Sequence, residues 1–342
     1  MDDHHEQLMA NNYAVQQPDA DSRLLSADQR MEENDFFVSA QWLHSAIDRK
    51  VKNLVVIEVT RGKGNYPLDQ MRTVRDYELG HIPTAIHLNT DELGEFKDYF
   101  KRPEAMRDVF LSKGITCDSL LVFYSIYARD IMYIASRMAF AAYYLGVDQV
   151  KILDGGIQAW QRAGFVLEEG NHNVRPASEF GCSVPKRPEI YVRTPEDVLH
   201  YRQKYPKHVL ASVRTWKEFL GDNEGHAWNK GVGEIAGAVY MGDELLVNIL
   251  GELASPNNYL ERWKDWGITP GKRLLLYCGT SWRSSTAFFI LKHLGWDKIS
   301  MFDGSWYKWY LAHEENPKQY LIQRGNPLGD PPLEIFDGDF QN

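Results

Sequence analysis

Cysteine is scarce in this chain, with three among 342 residues. An odd number of thiols cannot form a closed disulfide framework, so the sequence predicts reduced cysteines and, with them, a reducing compartment. Cys117 and Cys182 are expected to have no role. A large core needs no disulfide support here, since 44% of the residues are hydrophobic and 13% are aromatic.

Long apolar runs, basic runs and clusters of metal ligands are also missing. No apolar segment approaches the ~20 residues of a membrane helix. The net charge of −9 argues against general nucleic-acid binding. The acidic start, Met1 to Glu6, has no apolar stretch behind it and is not a secretory signal, so a cytoplasmic location is expected unless an export signal was removed. Neither a metal nor an organic cofactor is predicted.

The strongest functional signal lies in residues 274–285. Leu274 to Tyr277 is an apolar run typical of a buried strand, and it stops at Cys278. A helix pattern begins at once, since one face collects Ala287, Phe288, Leu291 and Leu294. The first N–H groups of a helix lack internal partners, so such a junction binds anions and favours a thiolate. With the charge of Arg283 nearby, Cys278 is predicted to be a nucleophile for an anionic substrate.

The remainder of the chain indicates one structural unit used twice. Apolar strands alternate with helices, which is typical of a parallel sheet covered on both faces. Glu234 follows His81 by 153 positions, and Cys278 follows Ser125 by the same 153 positions. Equal offsets indicate a duplication. The predicted fold class is α/β, with two tandem domains, each a mainly parallel sheet with helices on both faces.

Five segments are predicted along the chain. Residues 1–34 are a polar, disordered tail, and residues 35–167 are the first domain. Residues 168–189 are a linker, because glutamates, asparagines and prolines interrupt the rhythm of strands and helices. Residues 190–315 are the second domain, and residues 316–342 are an extended C-terminal arm.

Several short motifs carry a family resemblance. Residues 233–238 read Gly-Glu-Ile-Ala-Gly-Ala, similar to a Gly-His-Ile-Pro-Gly-Ala motif, and Val213-Arg214 is similar to the end of an Asp-Val-Arg motif. Asp154-Gly155-Gly156 and Asp303-Gly304-Ser305-Trp306 are similar to Asp-Gly-Gly-x-x-x-Trp. Together with Cys-x4-Arg, these motifs resemble the rhodanese family of sulfurtransferases over roughly residues 36–315.

The loop from Cys278 to Arg283 is most similar to the Cys-Gly-Thr-Gly-Trp-Arg loop of bacterial multidomain rhodaneses. The resemblance implies that the Cys278 thiolate takes the outer sulfur of thiosulfate, a small anionic donor. Sulfite leaves, and the resulting persulfide passes its sulfur to cyanide, a thiol or a protein acceptor. Expected substrate-binding groups of this loop are Gly279, Thr280, Ser281, Trp282 and Ser284.

Two arginines are expected to hold the anionic donor. The resemblance implies that Arg283 holds its oxyanion end and that Arg214 is a second anion clamp. For each arginine, an ion pair with a carboxylate is the alternative. Trp282 either walls the pocket or packs on the other domain.

The sequence also departs from the family pattern. Ser125 stands at the cysteine position of the first half, and its hydroxyl cannot hold a transferable sulfur, so that half is predicted to be inactive. Ser212 replaces an aspartate, while Glu234 and Ala236 replace the histidine and proline of the second half. His81 matches the histidine of the first half. In related mercaptopyruvate enzymes it approaches the active site across the domain interface; an anchoring hydrogen bond within its loop is the alternative.

Three other functions stay open at this point. Loops of 3-mercaptopyruvate sulfurtransferases begin Cys-Gly-Ser-Gly, similar to Cys278-Gly279-Thr280, but Arg283 stands where they carry a hydroxyl residue. Cysteine phosphatases have five residues between cysteine and arginine, whereas this loop has four. The third alternative is a persulfide carrier, or a binding module that docks a partner through its first half. Thiosulfate is the favoured donor, because Arg283 suits a small dianion.

Overall fold

The computed structural model of the chain describes residues 36–62, 77–95, 97–126, 131–222 and 231–337. The predicted tail, 1–34, lies outside these residues. Within them, no helix has the length and apolar character needed to cross a membrane.

The first half is built on a parallel sheet of five strands. They are β1 (Phe37–Val38), β2 (Leu54–Thr60), β3 (Ile86–Asn89), β4 (Leu120–Ser125) and β5 (Gln149–Leu153). Their order across the sheet is β1-β5-β4-β2-β3. The helices are α1 (Ala40–Asp48), α2 (Pro103–Ser112), α3 (Ile131–Leu145) and α4 (Gly156–Arg162), with a 3-10 turn at Thr90–Glu92.

The second half repeats this arrangement. Its strands are β6 (Tyr191–Val192), β7 (Val209–Ser212), β8 (Glu234–Ile235), β9 (Ala238–Tyr240), β10 (Leu274–Tyr277) and β11 (Ile299–Phe302). Five of them form a parallel sheet in the order β6-β11-β10-β7-β9. The helices are α5 (Pro195–Lys204), α6 (Trp216–Leu220), α7 (Leu260–Asp265), α8 (Trp282–His293) and α9 (Ser305–Glu315), with 3-10 turns at Pro188–Ile190 and Pro256–Asn258. The prediction of one α/β unit used twice is confirmed.

The alternation of side chains along β10 shows how the layers are filled. Leu274 and Leu276 point into a core that both halves share, whereas Leu275 and Tyr277 point to the opposite face. Successive strand residues face opposite sides of a sheet, so an all-apolar strand must be covered on both. On the outer face of this sheet the cover includes Trp306 of α9.

The two halves meet through reciprocal contacts. The N–H of Phe100 donates to Asp303 Oδ2 at 3.0 Å, and the N–H of Leu253 donates to Asp154 Oδ1 at 2.8 Å. Leu253 follows Phe100 by the same 153 positions that relate the two cysteine positions. Each half therefore offers the aspartate of its closing motif to the equivalent loop of the other, and Asp303 is the more deeply buried of the two.

Helices α3 and α8 pack on one another in the shared core. Thr286 Oγ1 donates to Ser136 Oγ at 3.0 Å, and the rings of Phe140 and Phe288 meet edge to face with centroids 4.9 Å apart. Helix α8, which begins at the predicted catalytic loop, is therefore seated against the first half.

The segment expected to be an extended C-terminal arm contains two strands, β12 (Ile322–Arg324) and β13 (Glu334–Phe336). They form an antiparallel sheet with β8 in the order β13-β12-β8. Its last residues, 338–342, lie outside the described part of the chain.

The prediction of reduced cysteines is wrong for two of the three. Cys117 and Cys182 are joined by a disulfide, and Cys278 is the free cysteine. The pairing arises because the segment predicted as a linker returns to the first half, where the N–H of Cys117 donates to the carbonyl oxygen of Phe180 at 2.7 Å. The inference of a reducing compartment, which depended on reduced thiols, therefore loses its basis.

Candidate active site

Cys278 lies in the turn between strand β10 and helix α8. It is buried, with 1% of its surface exposed. Its N–H donates to Ser305 Oγ at 3.3 Å, and the hydroxyl of Ser284 donates to its sulfur over 3.9 Å. These contacts fix the cysteine at the base of the loop that leads into α8.

The carbonyl groups of this loop are turned toward α9. The carbonyl oxygen of Cys278 accepts from the N–H of Trp306, and that of Gly279 accepts from the N–H of Tyr307, both at 3.0 Å. In a planar trans peptide the N–H points opposite to the carbonyl. The N–H groups of Gly279 and Thr280 therefore point away from α9, and neither donates to any atom in the described part of the chain. They are available to an anion.

Ser281 completes the loop in an uncommon conformation. Its φ of +62° lies in the left-handed region, which disfavours residues with a side chain. Its hydroxyl lies 2.9 Å from Asp303 Oδ1 and 2.7 Å from the carbonyl oxygen of Thr280, and can donate to either. The charged carboxylate is the stronger acceptor.

Arg283 is held by two buried carboxylates. Its Nη1 and Nη2 bind Glu218 Oε2 and Oε1 at 2.7 and 3.1 Å, and Nη1 lies 3.3 Å from Asp243 Oδ2. Burial opposes the charged form of Arg283, but Asp243, Glu218 and Cys278 raise its pKa well above the usual value. Burial alone would raise the pKa of Glu218, yet Arg283 and Arg214 hold it well below its usual range. The positive charge of Arg283, near Cys278, is therefore compensated by the carboxylates of Glu218 and Asp243.

Arg214 is fully buried in the same cluster. Its Nη1 donates to the carbonyl oxygen of Gly233 at 2.5 Å and to Glu234 Oε1 at 2.7 Å, and its Nε lies 3.4 Å from Glu218 Oε1. Arg214 and Arg283 thus share Glu218. Both arginines form the carboxylate ion pairs that were the alternative to direct anion binding, and these pairs are buried.

Glu234 and Ser212, two positions where the sequence departs from the family pattern, are hydrogen-bonded to each other. The Glu234 carboxylate accepts from Ser212 Oγ at 3.0 Å and from the hydroxyl of Tyr277. Burial raises the pKa of Glu234 to about 7, although Arg214, Tyr277 and Ser212 act in the opposite direction. A serine that replaces an aspartate is here the partner of a glutamate that replaces a histidine.

Trp282 is buried in the core that the two halves share. The guanidinium carbon of Arg61, a residue of the first half, lies 4.8 Å from the centroid of its ring. Of the two expected arrangements, the structure shows packing against the other domain.

His81 makes its described contacts away from the Cys278 loop. Its Nδ1 donates to the carbonyl oxygen of Tyr77 at 2.8 Å, and its backbone pairs with Glu168. Glu168 also lies 3.2 Å from His172 Nε2. In the described residues, His81, Glu168 and His172 form the group of potential metal ligands, with one atom of each within 4.8 Å of the others. No metal site was predicted, because His81 is far from the other two in sequence.

Three carboxylates of the site were not predicted: Glu218, Asp243 and Asp303. Glu218 carried a readable signal, since Thr215-x-x-Glu218 is a capping box, and both of its hydrogen bonds form at the start of α6. Asp303 stood in a recognised motif without an assigned contact. Asp243 had no sequence signal.

A buried free cysteine between a strand and a helix, in one half of a duplicated parallel α/β unit, is the architecture of a tandem sulfurtransferase. The chain belongs to the rhodanese family: the sequence profile of the Rhodanese-like domain matches residues 39–163 and 194–312. The resemblance inferred from the motifs is confirmed, and family membership supports the prediction of a sulfurtransferase.

Individual relatives agree with this assignment. Thiosulfate sulfurtransferase YnjE of Escherichia coli K12 is 32% identical over 84% of this chain, which spans 66% of that protein's length. The crystal structure of YnjE superposes with a TM-score of 0.71 at 29% identity, covering 83% of this chain and 68% of YnjE. The 3-mercaptopyruvate sulfurtransferase of the same organism is 25% identical over 80% of this chain and 94% of its own length.

A solved structure of an enzyme with a different substrate is also similar to this chain. The anaerobic ergothioneine biosynthesis enzyme from Chlorobium limicola, in complex with its natural substrate trimethyl histidine, superposes with a TM-score of 0.72. It is 26% identical, and the match covers 90% of this chain and 77% of that enzyme.

Proposed function

We propose that the chain transfers a sulfane sulfur from thiosulfate to a small thiophilic acceptor through a persulfide on Cys278. The observation that carries this proposal is the position of Cys278, the free cysteine, beside loop N–H groups that the protein leaves available. The name of the relative YnjE supports thiosulfate as the donor.

The first step forms the persulfide. The Cys278 thiolate attacks the outer sulfur of thiosulfate, a sulfur–sulfur bond to Cys278 forms, and the bond within thiosulfate breaks with its electron pair on the departing sulfite. The N–H groups of Gly279 and Thr280 would stabilise the negative charge on the sulfur atoms. The guanidinium of Arg283 is occupied by Glu218 and Asp243, so we assign it an electrostatic effect on Cys278 and no direct contact with the donor.

The second step discharges the persulfide. An acceptor such as cyanide or a low-molecular-weight thiol attacks the terminal sulfur, and the Cys278 thiolate leaves. With 1% of its surface exposed, Cys278 favours a small acceptor over a bulky protein surface. In the first half, Ser125 is buried at the equivalent position and has no thiol, so we assign no transfer chemistry to it.

Turnover with separate donors tests this proposal. The protein is incubated with thiosulfate and cyanide, and thiocyanate is assayed, with 3-mercaptopyruvate as the second donor and Cys278→Ser as the control. Thiocyanate from thiosulfate that is lost in Cys278→Ser supports the proposal. Production from 3-mercaptopyruvate alone would reassign the donor. A persulfide that forms but reaches no small acceptor would indicate a carrier.

A further inference from the structure

The side chain of Asp303, directly after β11, is fully buried and saturated with donors from both halves. Its Oδ1 accepts from Ser281 Oγ at 2.9 Å and from Arg137 Nη2 at 2.5 Å. Its Oδ2 accepts from the hydroxyl of Tyr191 at 2.6 Å and from the N–H of Phe100 at 3.0 Å. One carboxylate therefore joins the Cys278 loop to the first half.

Arg137 supplies the positive charge of this group. It lies on α3 of the half that carries Ser125, and 4% of its side chain is exposed. Its guanidinium carbon stands 3.6 Å from the centroid of the Phe100 ring, which orients it toward Asp303. A buried carboxylate needs such a partner, because an uncompensated charge in the interior is strongly unfavourable. The partner of Asp303 thus comes from across the domain interface.

Ser281 is the loop residue that receives this support. It holds a left-handed φ of +62° immediately before α8. A serine in this conformation needs an interaction that holds it, and the hydrogen bond to Asp303 supplies one. The turn at Ser281 connects the peptides that follow Cys278 to the first residue of α8.

We propose that Arg137 is a positioning residue for the Cys278 loop, acting through Asp303 on Ser281, so that the half without a catalytic thiol is a working part of the active site. This inference rests on the proposed function, since the loop's task is sulfur transfer. Loss of Arg137 leaves Asp303 without its cationic partner, and the carboxylate and its bond to Ser281 are expected to shift. A small displacement of reacting groups costs up to roughly a hundredfold in rate.

A kinetic double-mutant cycle tests the proposal. The variants are Arg137→Met, Ser281→Gly and their combination, since glycine adopts the left-handed conformation without the hydroxyl. Each single variant is expected to lower kcat for sulfur transfer by roughly tenfold, and the double variant by little more than either one. The matched control is Arg162→Met, because Arg162 pairs with Glu252 across the same interface at the surface. This control is expected to keep the parental kcat.

The possible outcomes distinguish a failure of the positioning role from a failure of the proposed function. A folded Arg137→Met variant with parental kcat, or single effects that multiply in the double variant, would overturn the proposal. Should Arg137→Met not fold, Arg137→Gln, which removes the charge but keeps a hydrogen-bond donor, takes its place in the cycle with the same expected non-additivity. If the parent transfers no sulfur, the proposed function fails. The rate at which iodoacetamide alkylates Cys278 then tests the positioning role, with altered rates expected for Arg137→Met and Ser281→Gly but not for Arg162→Met.

Discussion

Replacing Glu234 by glutamine should remove a component of the protein's pH-dependent stability. Glu234 is fully buried, and burial raises its pKa to about 7 from the ordinary 4.5. A carboxyl group whose pKa is raised on folding stabilises the native state fully below its unfolded pKa, and that contribution is lost as the pH rises through the folded pKa. The window is therefore between 4.5 and somewhat above 7.

The size of the effect follows from the shift. Raising the pKa of Glu234 from 4.5 to about 7 corresponds to about 3 kcal/mol in the free energy of unfolding. Glutamine is isosteric and neutral, so Glu234→Gln should lack this loss while its amide still bonds Arg214 and Tyr277. Glu218, whose pKa is lowered, titrates below this window and is common to both proteins.

The assay is urea unfolding of the parent and of Glu234→Gln at several pH values across the window. The difference in unfolding free energy, variant minus parent, should grow by about 3 kcal/mol as the pH rises. Glu261→Gln, at an exposed glutamate, is the control and should parallel the parent. If the unfolding free energies of Glu234→Gln and the parent change in parallel with pH, the pKa of Glu234 is not raised on folding. A difference of opposite sign would show that Arg214 and the two hydroxyl groups hold Glu234 ionised.

Two further predictions concern other parts of the fold. Replacing Cys117 and Cys182 by alanine opens a loop with a sequence separation of 65 residues, which should lower the unfolding free energy by about 4 kcal/mol and leave thiocyanate production intact; unchanged denaturation midpoints would contradict this. Arg283→Met leaves Glu218 and Asp243 buried without their shared cation, so it should destabilise the fold by about 3–5 kcal/mol and slow sulfur transfer, measured by denaturation and by kcat. Parental values would contradict that role.

The elements that carry the site could be predicted because burial leaves a periodic pattern in the sequence. The apolar run Leu274 to Tyr277 became β10, and the helix pattern that follows Cys278 became α8. The duplication was visible because equivalent residues recur at a constant spacing of 153 positions. The duplication explains why the two halves share one strand order, but the order itself was not predicted.

The partners of the charged residues could not be predicted, because they are distant in sequence and close only after folding. Arg283 meets Glu218 from 65 positions away, and Asp303 meets Arg137 from the other half of the chain. The spacing of Arg283 from Cys278 predicts an anion-binding arginine. No pattern in the sequence predicts that the carboxylate of Glu218 binds it instead.

The prediction of reduced cysteines was wrong for the same reason, because the two partners are close only after folding. Cys117 and Cys182 are separated by 65 residues, and their pairing depends on the return of the segment around Phe180 to the first half. Counting thiols showed that one must stay unpaired, but it did not exclude a disulfide between the other two.

The most direct test of a persulfide on Cys278 is the intact mass of the protein after incubation with thiosulfate, followed by peptide mapping. We expect a gain of one sulfur atom, located on the peptide that contains Cys278 and removed by cyanide. The Cys278→Ser variant should show no gain. A parent whose mass does not change with thiosulfate or 3-mercaptopyruvate, or a sulfur atom located on another residue, would contradict sulfur transfer through Cys278.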